Sequence, residues 1–307
     1  MSLKRIAVFG GTGNLGPDIV GALEQAKFDV TVLSRSAEHP AHLPRGVTIK
    51  QVKDFTSVSE LTEVLQGQDA VVAVPGPVGI PLQHHVIDAA VAAGVKYFLP
   101  SEFGSRTDNA HARKLPVFAG KLKVQDQLEK LAQEGKISYV FVNTGAFFDW
   151  GLDMGFLITD VLGQKPISLY NGGDVEFSTS TLADIGKAVV GILQKPEQFR
   201  NRFVTVNSAV VTQNQLIAAA KKVVPDAPFN TTPVDTEVVL QKSLETIKSG
   251  QGDIHGAMLG GLMSAIFNPS YGGKFPQEDS HTLGLGIDQA GVEAVVAKSI
   301  QKKQQAK

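Results

Sequence analysis

The stretch Gly10-Gly11-Thr12-Gly13-Asn14-Leu15-Gly16 constrains this chain more than any other part of it. It follows an apolar, strand-like run from Arg5 to Phe9 and opens a segment where Ile19, Val20, Leu23 and Ala26 recur at helical spacing. Two glycine patterns overlap: Gly10, Gly13 and Gly16 satisfy G-x-x-G-x-x-G, while Gly11, Gly13 and Gly16 satisfy G-x-G-x-x-G. Glycine here permits a tight turn and lets the main chain approach a pyrophosphate. The amides that open the next helix, from about Asn14 through Leu15 and Gly16, then meet its charge. Pro17 and Asp18 stand where a mononucleotide P-loop has its Lys-Ser/Thr pair, so the turn is expected to hold a dinucleotide. A glycine-rich strand-to-helix turn without a ligand is the plainer alternative.

Strand-like runs recur at Asp29 to Leu33, Val47 to Val52, Ala70 to Val74, Val95 to Leu99 and Ser138 to Val142. Helical spacing fills the intervals, as at Leu122, Leu128 and Leu131. Short, continuously apolar strands alternating with helices predict an α/β fold: a doubly wound parallel sheet, or Rossmann domain, covered on both faces. The rhythm lapses after Asn143, resumes at Ala183 to Leu193 and Phe203 to Val206, and gives way from Thr212 to helices and glycine-rich loops. The expected division is a nucleotide-binding domain over residues 1–150, to which the chain returns at about 175–210. A smaller C-terminal substrate lobe takes 151–174 and 211–307. At about 150 residues per domain, 307 residues accommodate both.

Composition narrows the function. Hydrophobic residues at 43% and charged residues at 19% allow a sizeable core. Lys plus Arg total 29 against 30 acidic residues, leaving no basic excess to neutralise a nucleic-acid backbone. With no cysteine, disulfides, thiolate nucleophiles and Cys-rich zinc sites are excluded. The run before the glycines is too short for a signal-peptide core, and Gly256 to Phe267 falls short of the ~20 residues of a bilayer span. A cytoplasmic protein without membrane attachment is expected.

Cofactor choice is legible after the second strand. An NAD-selective site places a carboxylate there, whereas this chain has Leu33-Ser34-Arg35-Ser36. Arg35 is suited to a 2′-phosphate and the flanking serines to hydrogen-bonding it, so NADP(H) is the expected cofactor. Asp54 and Phe55 follow the third strand, where they would meet the adenine edge and face. Pro75, in Val74-Pro75-Gly76-Pro77, closes the fourth strand at the edge where ligands lie. Each of these also has a purely structural reading as a turn former or a solvated charge.

Lys96-Tyr97-Phe98-Leu99-Pro100-Ser101-Glu102-Phe103-Gly104, preceded by Gln83 and Ala92-Ala93-Gly94-Val95, resembles the isoflavone reductase-like family. That family lies in the NmrA-like branch of the atypical short-chain dehydrogenases. The similarity includes the glycine turn, Arg35, Lys121 and Asn143-Thr144-Gly145-Ala146-Phe147, and covers most of residues 1–210. It implies an NADPH-dependent reductase acting on a small aromatic, phenylpropanoid-like substrate, with Lys121 as the catalytic group beside the cofactor ribose. Ordinary short-chain dehydrogenases carry Tyr four residues before the lysine, and Val117 stands there. The resemblance therefore leaves a second reading open: an NADP(H)-binding redox sensor without turnover that acts through a protein partner.

The aromatics Phe147, Phe148, Trp150, Phe156, Tyr170 and Phe177 cluster where the Rossmann rhythm stops. Phe103, Phe147 and Phe148 are the expected substrate contacts, with Phe147 also against the cofactor because it would end the sixth strand. His84-His85 is not a metal pair, since adjacent helical positions diverge and no third ligand stands at a suitable spacing. Glu102 with Asp108, and Asp149 with Asp153, fall in turn-rich segments where capping and solvation are the expected roles.

Overall fold

In the computed structural model, which describes residues 3–306, the apolar runs of the first half form β1 (Arg5–Phe9), β2 (Asp29–Ser34), β3 (Thr48–Gln51), β4 (Ala70–Ala73), β5 (Tyr97–Leu99) and β6 (Ser138–Asn143). Their order is β3-β2-β1-β4-β5-β6, extended beyond β6 by the strand Arg202–Thr205. The pairs β1–β2, β2–β3, β1–β4, β4–β5 and β5–β6 are all parallel. β1 and β4 have no exposed residue beyond Arg5, as a strand covered on both faces requires. The order reverses between β1 and β4, which opens a crevice at the carboxyl ends of these strands.

The crossovers are α1 (Gly16–Gln25), α2 (Val58–Leu65), α3 (Gln83–Ala92) and α4 (Ala119–Gln133). α1 has no side-chain cap but has Pro17 in its first turn with Asp18 beside it, and it buries Ile19, Val20 and Leu23. Ser57 caps α2 by accepting from Glu60 N at 3.3 Å.

The described residues divide into two compact units. The first is drawn from Met1–Phe103, Gly120–Asn143 and Ile185–Val204, and contains nearly all of the parallel sheet. The second is drawn from Gly104–Ala119, Thr144–Asp184 and Thr205–Lys307. Within it Phe177–Ser180 pairs antiparallel with Ala209–Val211 and parallel with Ala146–Phe147. Its core includes Phe148, Leu152, Phe177, Leu216, Phe267 and Val296.

Two sequence expectations are corrected here. β6 ends at Asn143, so Phe147 does not close it. The cause is Gly145, at φ +66°, where a Cβ would stand 2.1 Å from Ser178 O. The chain turns there, and Ala146–Phe147 joins a different sheet. The region after Thr212 is also not solely helix and loop, because Thr231–Val234 pairs in parallel with Ile167–Tyr170. Its residues are exposed or half-buried and it contains Pro233, so it lacked the apolar alternation that marks a strand. The apolar Gly256–Phe267 stretch lies in the helix Ile254–Phe267, capped by Asp253 and burying Ala257, Met263 and Phe267. Among the described residues no helix is long and apolar enough to cross a membrane.

Candidate nucleotide and reaction site

Directly after β1 the chain reverses through Gly10, at φ +86°, and Gly13 N donates to Gly10 O at 3.0 Å. The glycines of this turn are bare for different reasons. A Cβ on Gly10 would stand 2.7 Å from Pro75 N, and one on Gly16 would stand 2.4 Å from Gly11 C, so both are fixed by the protein's own packing. A Cβ on Gly13 would meet nothing nearer than Gly10 O at 3.4 Å. The fold therefore tolerates a side chain at Gly13, and its absence leaves an exposed stretch of main chain open to a ligand.

A cavity of about 520 Å³ lies against this turn. Gly10, Thr12, Gly13, Arg35, Phe55 and Pro75 line it together with Phe9, Leu33, Ser34, Ser36, Gly76, Pro77, Val78, Gly79 and Leu82. The lining contains one cation and no carboxylate, which favours an anionic ligand. Arg35 is exposed, and its guanidinium has no hydrogen-bond or ion-pair partner among the described residues. Its carbonyl accepts from Gln51 Nε2 at 3.0 Å. Ser34 Oγ accepts from Ser36 N, and Ser36 Oγ accepts from Glu38 N, both at 3.1 Å. Each hydroxyl thus shapes the turn through its oxygen and keeps its proton to donate. Phe9 stacks on Phe55 with centroids 4.8 Å apart and planes at 26°.

The remaining expected cofactor contacts lie apart from that lining. Asn14 is exposed, whereas Leu15 and Gly16 are buried. Asp54 accepts from Thr56 Oγ1 at 2.7 Å and from Thr56 N at 2.8 Å. Those bonds, with a smaller contribution from His85, hold its carboxyl below the usual range and make it a turn former ahead of α2.

Lys121 is in the first turn of α4 and half-buried, with its ammonium donating to Glu102 O. Burial pushes the ammonium's pKa below the ordinary lysine value, and the nearby Glu102 carboxylate opposes part of that shift. Glu102 itself is 1% exposed. Just before it, Ser101 Oγ donates to Pro75 O at 3.2 Å, and Ser101 N donates to Gln83 Oε1 at 2.8 Å. A continuous set of hydrogen bonds thus runs from the cavity-lining Pro75 to the segment that receives Lys121. Lys123 is exposed.

Phe103 is 8% exposed. Phe147, in the second unit, is half-buried and meets Trp150 edge-on at 6.2 Å. Phe148 has no exposed surface and fills the core of that unit, so it offers no face to a substrate in this structure. Val117 packs against the apolar cluster of Ala112, Leu115, Phe118, Leu240 and Ala265. The carboxylates considered as acid/base pairs are engaged: Asp108 with Arg106 at 2.6 Å, Asp149 with Leu182 N at 3.2 Å, and Asp153 with Ser299 Oγ at 2.7 Å. His84 Nδ1 faces Gln127 Oε1 at 2.5 Å. Among the described residues no group of three His, Asp or Glu is placed to hold a metal.

Sequence reasoning did not find Phe9, Ser101 or the reach of Gln83. Phe9 reads as a strand core residue, and the Gln83–Ser101 bond joins positions 18 apart whose proximity only the crossover creates.

A parallel sheet with this strand order and a glycine turn against a cation-bearing cavity define a Rossmann dinucleotide-binding protein. The NmrA-like family matches residues 2–251, and the chain belongs to that family. Among curated relatives, the oxidoreductase aprR of Aspergillus flavus is 32% identical over 256 residues, 82% of this chain and 84% of that protein. The oxidoreductase poxI of Penicillium oxalicum is 29% identical over 299 residues, 94% of this chain and 92% of that protein. Among solved structures, the leucoanthocyanidin reductase–NADPH complex of Vitis vinifera superposes with a TM-score of 0.76 at 19% identity, covering 96% of this chain and 99% of that one.

Proposed function

We propose that this chain is an NADPH-dependent oxidoreductase that reduces a small aromatic or conjugated acceptor, with Lys121 as its catalytic group. The residues present fit the cofactor. Gly13 leaves room for a pyrophosphate that the fold itself does not require, and Arg35 offers an unpaired guanidinium where a 2′-phosphate would stand. When bound, NADPH supplies a hydride from its reduced nicotinamide. The chain's own residues do the rest. Amides of the Gly10–Gly16 turn meet the pyrophosphate, and the Ser34 and Ser36 hydroxyls join Arg35. Lys121 presents an ammonium, shielded from water, to the oxygen that gains charge. Its lowered pKa lets it give up a proton more readily than a solvated lysine. On this reading the second unit is the substrate lobe.

The observation that carries the proposal is the docking of Lys121 on Glu102 O, one residue from the Ser101–Pro75 bond at the cavity. The oxidoreductase relatives and the NADPH-bound reductase of the same fold support it. A sensor without turnover is the second reading, and Val117 favours it, because no phenolic acid/base stands four residues before the lysine. The test is NADPH oxidation by wild type and Lys121→Ala against a panel of aromatic enones, quinones, imines and benzylic ethers. Turnover that disappears in the variant while NADPH still binds supports the enzyme. Tight binding of both redox forms with no turnover on any acceptor supports the sensor.

A further inference from the structure

We propose that Gln83 is a positioning residue for Lys121, holding the Ser101–Glu102 segment on which the lysine docks. This rests on the reading of Lys121 as the catalytic group. Gln83 opens α3 and is 1% exposed, but its side chain is not spent on the helix terminus. Its Nε2 donates to Ile80 O at 3.3 Å, and its Oε1 accepts from Ser101 N at 2.8 Å. One buried amide thereby ties the loop after β4 to the loop after β5.

Each neighbour of that amide leads to Lys121 or to the cavity. Ser101, held through its N–H by Gln83, is held again through its hydroxyl on Pro75 O at 3.2 Å. Glu102 N donates to Pro100 O at 2.7 Å, and Glu102 O accepts from Lys121. Ile80 in turn adjoins the start of α4: a Cβ on Gly120 would stand 3.2 Å from Ile80 Cγ2. A displacement of the Gln83 amide therefore moves both the oxygen that Lys121 engages and the loop beside the turn that carries Lys121. Misplacing a reacting group by about 1 Å costs on the order of 100-fold in rate.

The experiment compares full-length wild type, Gln83→Leu and Gln83→Glu in steady-state turnover with NADPH. In parallel the Lys121 titration is followed by NMR on protein labelled with [13Cε]lysine, its signal assigned by its loss in Lys121→Ala. Gln83→Leu retains bulk but neither hydrogen bond. Its kcat is expected to fall about tenfold or more, with KM for NADPH within about twofold of wild type. Its Lys121 titration is expected to move up toward the ordinary lysine range, because a loosened segment admits water to the ammonium. Glu102, the ionisable group acting on Lys121, is unchanged in every variant. Gln83→Glu retains the acceptor for Ser101 N and is expected to recover most of the loss. Should the leucine variant not fold, Gln83→Asn, which draws the amide back by one methylene, takes its place with the same expectations. An unmoved Lys121 titration, with kcat lost only in proportion to folded protein, overturns the proposal and leaves Gln83 a stabilising residue. Lys121→Ala turning over as fast as wild type overturns the reading of Lys121 instead. The titration still reports whether Gln83 positions the lysine.

Discussion

Ser101 and Pro75, 26 residues apart, are joined by a hydrogen bond from the serine hydroxyl to the proline carbonyl at 3.2 Å. Pro75 lines the cavity beside the glycine turn, and Ser101 precedes the residue whose carbonyl receives Lys121. The candidate cofactor cavity and the candidate catalytic lysine are thus parts of one bonded framework within the parallel-sheet unit. Their relative placement is set by side-chain donors, the Ser101 hydroxyl and the Lys121 ammonium, on main-chain carbonyls that follow two neighbouring strands.

Lys121→Ala is expected to lower turnover by about 100-fold or more, the span of general acid–base assistance, while NADPH affinity changes little. Stability supplies an independent check. The folded-state pKa of Lys121 lies below its unfolded value of 10.5. Between those two values the unfolded chain binds more protons, so this group's contribution to stability rises with pH across that window. Urea unfolding at a series of alkaline pH values should show wild type gaining on Lys121→Met as 10.5 is approached. A constant difference would mean that Lys121 titrates normally.

Arg35→Ala is expected to weaken NADPH binding about 10- to 100-fold, the range for losing a charge-assisted pair with a phosphate, and NADH binding less than about threefold. Calorimetric titration of both nucleotides reads the ratio directly. Equal losses would place the guanidinium away from the 2′-phosphate.

Gly13→Ala and Gly16→Ala should separate binding from folding. At Gly16 the new Cβ would stand 2.4 Å from Gly11 C, a main-chain atom that cannot step aside, so a lowered melting temperature is expected. At Gly13 the nearest atom is 3.4 Å away, so the melting temperature of the free protein should stay close to wild type while NADPH affinity falls. A Gly13→Ala protein that binds NADPH as wild type does would show that the ligand does not approach this residue.

Tyr97 is 5% exposed and donates to Glu197 Oε1 at 2.8 Å. Burial, then the bond to Glu197, pushes its phenol from 10.0 up to about 12. The same bond holds Glu197 below the usual carboxyl range. Between these two phenol values the folded state keeps a proton that the unfolded state has lost, so stability falls as pH rises through the window. Tyr97→Phe is expected to flatten that decline and to remove the last component of the phenolate absorbance titration. Loss of an earlier component would place the raised phenol elsewhere.

How much was legible depended on how local the determining forces are. β1, the glycine turn and α1 follow from apolar spacing and from backbone needs within some 20 residues, and the parallel sheet follows from their repetition. Gly10, Thr12, Gly13, Arg35, Phe55 and Pro75 do line one cavity, because each lies in a loop that follows the carboxyl end of β1, β2, β3 or β4 at the same edge of that sheet. The strand Thr231–Val234 was invisible because none of its own four residues is buried, which leaves no apolar signature. Phe148, chosen for its chemistry beside Phe147, instead serves the core. Sequence proximity does not say which of two adjacent aromatics points inward.

The sequence by itself determined the fold class, the position of the glycine turn, the placing of Arg35 rather than a carboxylate after β2, and the family. Those properties rest on φ/ψ requirements, periodicity and residue chemistry at neighbouring positions. Only the tertiary structure decided that Gly13 is bare without the fold demanding it, that Gln83 reaches Ser101, and that Lys121 is withdrawn from water onto Glu102 O. Each of these is a distance or a loss of hydration between residues separated along the chain, set by how crossovers bring strand ends together.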